Sequence, residues 1–233
     1  MDSFAFINLV GLLFEKKQGD FNRIHVDALK NISLTANKLK ISRLIHISSL
    51  GIENSVTSLY ARTKLLGEQG LRKIFPSATI IRPSVIFGAD DNFYNQFALM
   101  AKFSPFLPLI GGGKTKFQPV YVGDIAFSII RILEDVSLNG KVFELAGDKI
   151  YDFKEILSYI LKTIDKKRIL LPISFSLAKI IGFLAQILPK PPITPDQIEL
   201  LKYDNILSGN YPGLKELGIF PLTVEEIAPK YLR

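Results

Sequence analysis

Short apolar runs that end on turn residues, separated by segments of helical period, constrain this chain more than any other feature. Phe4 to Gly11 is a nearly unbroken apolar run closing on glycine, as expected of a strand buried on both faces of a parallel sheet. Asp20 to Leu39 then carries apolar residues at Ile24, Leu29, Ile32 and Leu39, a helical spacing. Arg43 to Ser49 is a second strand, Val56 to Phe75 a second helix, and Ala78 to Ile81 a third strand closed by Arg82-Pro83. Such alternation through short connections predicts right-handed parallel crossovers and hence an α/β sheet. Past Pro83 the pattern loosens. Helices are expected at Asp91–Met100, Asp124–Leu133 and Phe153–Ile164, and strands at Phe117–Val122 and Lys141–Leu145. From Arg168 the chain reads as helical and proline-punctuated, with helices at Ser174–Leu188 and Pro195–Lys202.

Composition removes several function classes. The chain has no cysteine, which excludes disulfides, thiolate metal sites and cysteine nucleophiles and suits a reducing compartment. Its two histidines, His25 and His46, are far from any ligand spacing, so no metal site is expected. The net charge of +7 suits an anionic membrane surface, an acidic partner or a phosphorylated ligand. No Lys/Arg run interleaves with aromatics, so nucleic acid is not an expected partner. Ile169 to Leu188 is long enough to suggest a membrane span, but Pro172 and Lys179 interrupt it. Leu177, Ile180, Ile181, Leu184, Ile187 and Leu188 form a stripe on one helix face. We expect the stripe to pack inward; the alternative is a helix in a membrane interface, with Lys179 and Lys190 toward headgroups.

The candidate chemistry lies in Tyr60-Ala-Arg-Thr-Lys64. Residues four apart share a helix face, so the Tyr60 phenol and the Lys64 ammonium are neighbours. A nearby cation favours phenolate, and the phenol pKa is expected to fall, letting Tyr60 move a proton to or from a carbonyl near neutral pH. The preceding strand ends in Ser48-Ser49, where α/β folds bind ligands, and either hydroxyl could orient a substrate oxygen. Gly111-Gly112-Gly113-Lys114-Thr115 lacks the earlier glycine of a phosphate loop, Pro108 standing there instead, and reads as a turn. Asp124 is expected to cap the helix that follows it.

These residues, taken in order, resemble the short-chain dehydrogenase/reductase superfamily in its extended and atypical branches. The resemblance rests on His46-Ile-Ser-Ser-Leu-Gly51, Tyr60 to Glu68, Ile81-Arg-Pro-Ser-Val-Ile-Phe-Gly88, and Gly111 through Asp124. Within the superfamily the chain is similar to the nucleotide-binding accessory subunit of respiratory complex I and its bacterial relatives, notably at Phe75–Pro83, Asp91–Phe93 and Pro105–Gly113. The resemblance implies a Rossmann-like parallel sheet lacking its first strands, with a small, mostly helical C-terminal lobe. Residues 1–150 would form the partial dinucleotide-binding domain, with substrate-lobe segments from about 84–120, and 151–233 the helical lobe. It implies NAD(P)(H) as cofactor, Tyr60 as catalytic tyrosine, Lys64 as its ribose-binding partner, and Ser48 or Ser49 as the serine. Leu9-Val10-Gly11 would pack near the adenosine ribose and Pro83-Ser84-Val85 would meet the nicotinamide. His25 falls where many members carry an asparagine, and Ala28-Leu29 replace the Gly-Thr that accompanies it, so His25 is expected on the helix surface. His46, inside a strand, is expected in the core.

The resemblance also implies something absent: no glycine-rich phosphate loop stands in this sequence, which would begin at the family's fourth strand. The expectations are an unpaired apolar edge at Phe4–Val10 and weak or absent dinucleotide affinity for the chain alone. A mis-assigned start, a separate chain supplying the front half, or a decayed gene would each produce this. Three functions follow: a non-catalytic or weakly catalytic complex I accessory protein, cytoplasmic and peripheral to the inner membrane; a working reductase or epimerase; or an inactive remnant.

Overall fold

The computed structural model describes residues 3–188 and 191–232; Lys190, a cation of the interfacial reading, lies outside them. Four parallel strands form the main sheet: Ala5–Asn8, Arg43–Ile47, Thr79–Pro83 and Val142–Leu145, side by side in chain order. Alternation along the central strands sends Leu44 and Ile80 to one face and Ile45 and Ile81 to the other. Helices Leu29–Lys38 and Leu59–Ile74 cover the first face, where Leu29, Leu71 and Phe75 complete a core. Helix Val122–Glu134 covers the second through Ile125 and Ile132, joined by Leu214 and Leu217 from the C-terminal part. Covering both faces is what parallel strands require. Each of these aliphatics contributes roughly 1.5–3 kcal/mol by leaving water.

A second core gathers Phe87, Tyr94 and Phe117 with Phe153, Leu157 and Val224, so segments on both sides of residue 150 share it. Beside it runs a parallel pair that the sequence reading missed. Phe106–Ile110 pairs with Ile169–Ile173, Pro108 opposite Leu171 and Leu109 opposite Pro172. The first segment falls where the sequence pattern loosens, and the second where it predicts helix. Prolines are tolerated here because a two-stranded sheet is all edge.

Three further expectations are corrected. The first strand is not buried on both faces: Phe6 and Ile7 are exposed, as are Phe4, Leu9 and Val10 around it. It bonds to one neighbour only, Arg43–Ile47, and forms the apolar edge expected from the resemblance. The stripe on helix Phe175–Ala185 does not pack inward. Only Ala178 and Gly182 are buried, while Leu177, Ile180, Ile181 and Leu184 are exposed, and Ile187 just beyond is 86% exposed. Asp124 does not cap its helix; its buried carboxylate accepts the Leu222 N–H at 2.9 Å and pins the C-terminal segment. No helix among the described residues is long and apolar enough to cross a membrane.

The helix that begins at Asp20 opens with a π-helical stretch, Asn22–Ala28, before the regular part. It runs against helix Leu59–Ile74 so closely that a Cβ on Gly67 would stand 2.1 Å from the His25 carbonyl oxygen. Backbone cannot yield as a side chain end can. Gly67→Ala is therefore expected to destabilise the fold by about 1–3 kcal/mol through overpacking. Urea unfolding measures it, and an unchanged midpoint would show that the two helices are not in this contact.

Candidate functional site

Helix Leu59–Ile74 carries Tyr60 and Lys64 one turn apart, and its first turn is held from two sides. Ser58 is the N-cap, its hydroxyl accepting the Ala61 N–H at 3.2 Å. Asp196, from the C-terminal part, accepts from the Ser58 hydroxyl and from the Leu59 and Tyr60 N–H groups, at 2.8, 2.6 and 3.1 Å. A carboxylate at a helix N-terminus also meets the positive end of the macrodipole. Asp196 belongs to a capping segment of its own, Thr194-Pro-Asp-Gln197, so one short helix fixes the start of another.

Tyr60 is buried on the wall of a cavity of about 840 Å3. Ser48, Ser49, Pro83, Ser84 and Val85 line the same cavity, whereas Lys64, Leu9, Val10 and Gly11 do not. Between the two candidate serines, Ser49 is the one whose side chain acts on the Tyr60 phenol, favouring its ionised form. Ser48 is 5% exposed, and its Oγ has no partner among the described residues. Burial pushes the phenol above its ordinary pKa, the nearby Asp196 carboxylate adds to the rise, and the Ser49 side chain opposes it. This corrects the expected lowering by Lys64. The ammonium is turned away, donating to the Ile47 carbonyl at 3.1 Å. A Cβ on Gly11 would stand 3.2 Å from Nζ, so the chain at Gly11 lies close against the lysine end. Burial brings the Lys64 pKa down to about 8, with Glu68 on the next turn pulling it back up.

His25 is not on the surface. The π-helical stretch turns it inward, where it stacks on Phe21 at 5.2 Å and meets Tyr60 edge-on at 5.4 Å. Its Nε2 accepts the Leu12 N–H at 3.1 Å, which leaves the proton on Nδ1, 2.9 Å from the Thr63 hydroxyl. His46 is in the core as expected, its Nδ1 accepting from the Asn8 amide at 3.1 Å. Burial lowers both, to about 4 for His25 and about 3 for His46, with Lys64 contributing to each.

Asn205 was not found from the sequence. Its Oδ1 accepts from the Ser84 hydroxyl at 2.6 Å and the Val85 N–H at 3.1 Å, while Nδ2 donates to the Leu50 carbonyl at 3.0 Å. It ties the ends of two sheet strands to the C-terminal part across the cavity rim. Nothing distinguishes Tyr203-Asp-Asn205 in sequence from any polar loop. Arg82, beneath the Pro83–Val85 loop, is buried between Glu68 and Glu53, with Tyr211 under its guanidinium.

No family model matches the chain. Against curated proteins it is 33% identical over 229 residues to the mouse (Mus musculus) mitochondrial NADH dehydrogenase (ubiquinone) 1 alpha subcomplex subunit 9, a match that takes in 97% of this chain. The chain is a homologue of that complex I subunit. It spans 60% of the relative's length. Solved structures with the same fold are more distant in sequence. A dTDP-glucose 4,6-dehydratase from Streptomyces venezuelae, with NAD bound, superposes with a TM-score of 0.73 at 14% identity, covering 98% of this chain and 72% of that one. A dTDP-4-dehydrorhamnose reductase from Bacillus anthracis, in complex with NADP, gives 0.65 at 14% identity, covering 97% and 80%. The chain thus has the Rossmann-like fold of this dehydratase and this reductase.

Proposed function

We propose that the chain is an accessory component of a respiratory NADH dehydrogenase complex, held at the edge of the membrane by its exposed apolar helix. The observation that carries this reading is the uncovered face of Phe175–Ala185, in a chain whose homologue is a complex I subunit. Phe183 and Leu184 are 67% and 60% exposed on that helix, and an apolar face of this kind marks a surface meant for another surface. Membrane and complex are both within its reach if the helix lies flat at the headgroup boundary. Tagged protein in its native cells is expected to migrate with the NADH dehydrogenase band after mild solubilisation. Ile180→Asp with Leu184→Asp should lower that recovery by at least about tenfold, the equivalent of 1.4 kcal/mol. Wild-type protein recovered apart from the complex would overturn the reading.

The residues that fit the nicotinamide end of a dinucleotide are those sharing the cavity, Tyr60, Ser49 and the Pro83–Val85 loop, with Lys64 buried behind them and Gly11 lying against it. An NAD(P) molecule would be held by Gly11, Lys64 and the Pro83–Val85 loop, and would supply the hydride. A second reading, a reductase in its own right, is favoured by Tyr60 and Ser49 both lining the cavity. Because burial keeps the phenol protonated at neutral pH, Tyr60 is set to give a proton to a carbonyl oxygen. Ser49 would orient that oxygen, and Lys64 would act electrostatically from behind the strand.

A further inference from the structure

We infer that the cavity beside Tyr60 binds a long, uncharged lipid carrying a single carbonyl or hydroxyl group, and not a nucleotide diphosphate sugar. This goes beyond the accessory reading, since it concerns a ligand and would hold for a chain that never joined a complex. The first argument is charge. Among the described residues no lysine, arginine or histidine lines the cavity, whereas Asp90, Asp91 and Asp204 do. A diphosphate carries two negative charges and, out of water, requires cations or a helix N-terminus to meet them. One helix at the cavity, Tyr94–Phe103, already spends its first N–H groups on Asp91, whose Oδ1 accepts from Phe93, Tyr94 and Asn95. Helix Val122–Glu134 also starts on this wall without a side-chain cap, but no cation stands on the wall to share the two phosphate charges with it.

The second argument is the distribution of polarity. Ser48, Ser49 and Tyr60 all line the cavity, and Ser48 Oγ stands buried with no partner among the described residues. A buried hydroxyl without a partner costs free energy that a ligand oxygen would recover. Most of the remaining lining is apolar, Phe93, Phe97, Met100, Ile110 and Ile173 among it, with Gln96 and Gln197 set between. One polar group with a long apolar remainder is the shape of ligand that satisfies such a lining. The volume, about 840 Å3, is in the range of small-molecule sites.

The third argument is access. Elements that supply the apolar lining also carry the exposed apolar surface. Helix Phe175–Ala185 turns Ala178 to the cavity and Ile180 and Phe183 outward. The strand pair does likewise, with Pro108 and Ile173 on the cavity and Phe106 and Ile169 exposed. A lipid resting on the outer face has a continuous apolar route inward, and water-soluble sugars have no such advantage.

The test uses the purified full chain and Nile red, an uncharged lipophilic dye. Hexadecan-2-one is expected to displace the dye saturably from one site, and UDP-glucose is expected to displace none. Phe97→Lys places a cation on the wall and should weaken hexadecan-2-one binding by at least about tenfold, while Ile180→Lys on the outer face should leave it within about twofold. Displacement by UDP-glucose and not by the ketone would overturn the inference. So would a loss confined to Ile180→Lys. Should Phe97→Lys not fold, a diazirine-bearing hexadecan-2-one reacted with the unaltered protein decides the matter. Cross-links at Phe93, Phe97, Met100 or Ile173 support the cavity, and cross-links restricted to the outer helix face or to Leu9 and Val10 refute it.

Discussion

Glu68→Gln is expected to cost the fold about 3–5 kcal/mol, because it leaves the buried Arg82 guanidinium with its main partner discharged. Both side chains are almost fully buried. The pair is bidentate, Arg82 Nε on Glu68 Oε1 at 3.0 Å and Nη2 on Oε2 at 2.6 Å, and it holds the arginine pKa above its ordinary value against the pull of burial. Glu53 is a weaker substitute, since it is half-exposed and meets the same nitrogen at 3.0 Å. Urea unfolding at pH 7 should show the loss, with a melting temperature lower by roughly 10 °C for a chain of this size. Replacing both residues with methionine should cost much less than the two single losses together, because no unpaired charge then remains. A Glu68→Gln loss under about 1 kcal/mol would mean that the pair is solvated. The substitution also reaches the site. Glu68 raises the Lys64 pKa, so its removal should drive that pKa below about 8 and leave the lysine largely neutral at pH 8.

The parts of this fold that were legible in the sequence are those governed by short-range pattern. The runs at Arg43–Ile47, Thr79–Pro83 and Val142–Leu145 alternate with apolar-striped helices, and period and punctuation suffice to place them within two or three residues. The pair Phe106–Ile110 and Ile169–Ile173 was not legible because proline normally argues against a strand, and only the partner's register shows that its missing N–H is harmless. The apolar stripe from Leu177 to Leu188 was read for its existence and misread for its direction. Periodicity says that a face is apolar and nothing about what lies against it. At the site, Tyr60 and Lys64 were found from spacing, but the assumed contact was not. Whether a lysine faces a phenol or a carbonyl depends on the strand next door, here Ile47. Asp196 and Asn205 were missed for the same reason. Thr194-Pro-Asp-Gln197 reads plainly as a helix start, yet that its aspartate caps a helix 136 residues earlier is tertiary information.

Acid should unfold this protein earlier than its carboxylates alone would require, and His25 and His46 are the reason. Both are buried and neutral, with pKa values held down to about 4 and about 3 by desolvation and by the Lys64 charge. An unfolded histidine titrates near 6.5. Between that value and the folded value, the unfolded chain binds more protons than the folded one, so stability falls as pH falls. The slope approaches about 1.36 kcal/mol per pH unit per group once pH is below the unfolded pKa, and the two together should remove roughly 3 kcal/mol between pH 6.5 and pH 5. Urea unfolding at pH 7, 6 and 5 measures the slope, and His25→Asn or His46→Asn should each remove about half of it. A flat profile over this window would show that one or both rings are already protonated or already solvated. The structural consequence is local before it is global. A proton on His25 Nε2 would face the Leu12 N–H that the nitrogen now accepts, a donor against a donor. The segment that places Gly11 against Lys64 would lose its tether, and the Leu12 amide should exchange its hydrogen faster near pH 5 than the neighbouring sheet does, ahead of any loss of helix signal. Since Tyr60 meets His25 edge-on, the same proton would loosen the packing around the phenol, and acid would open the lysine side and the cavity side of this site together.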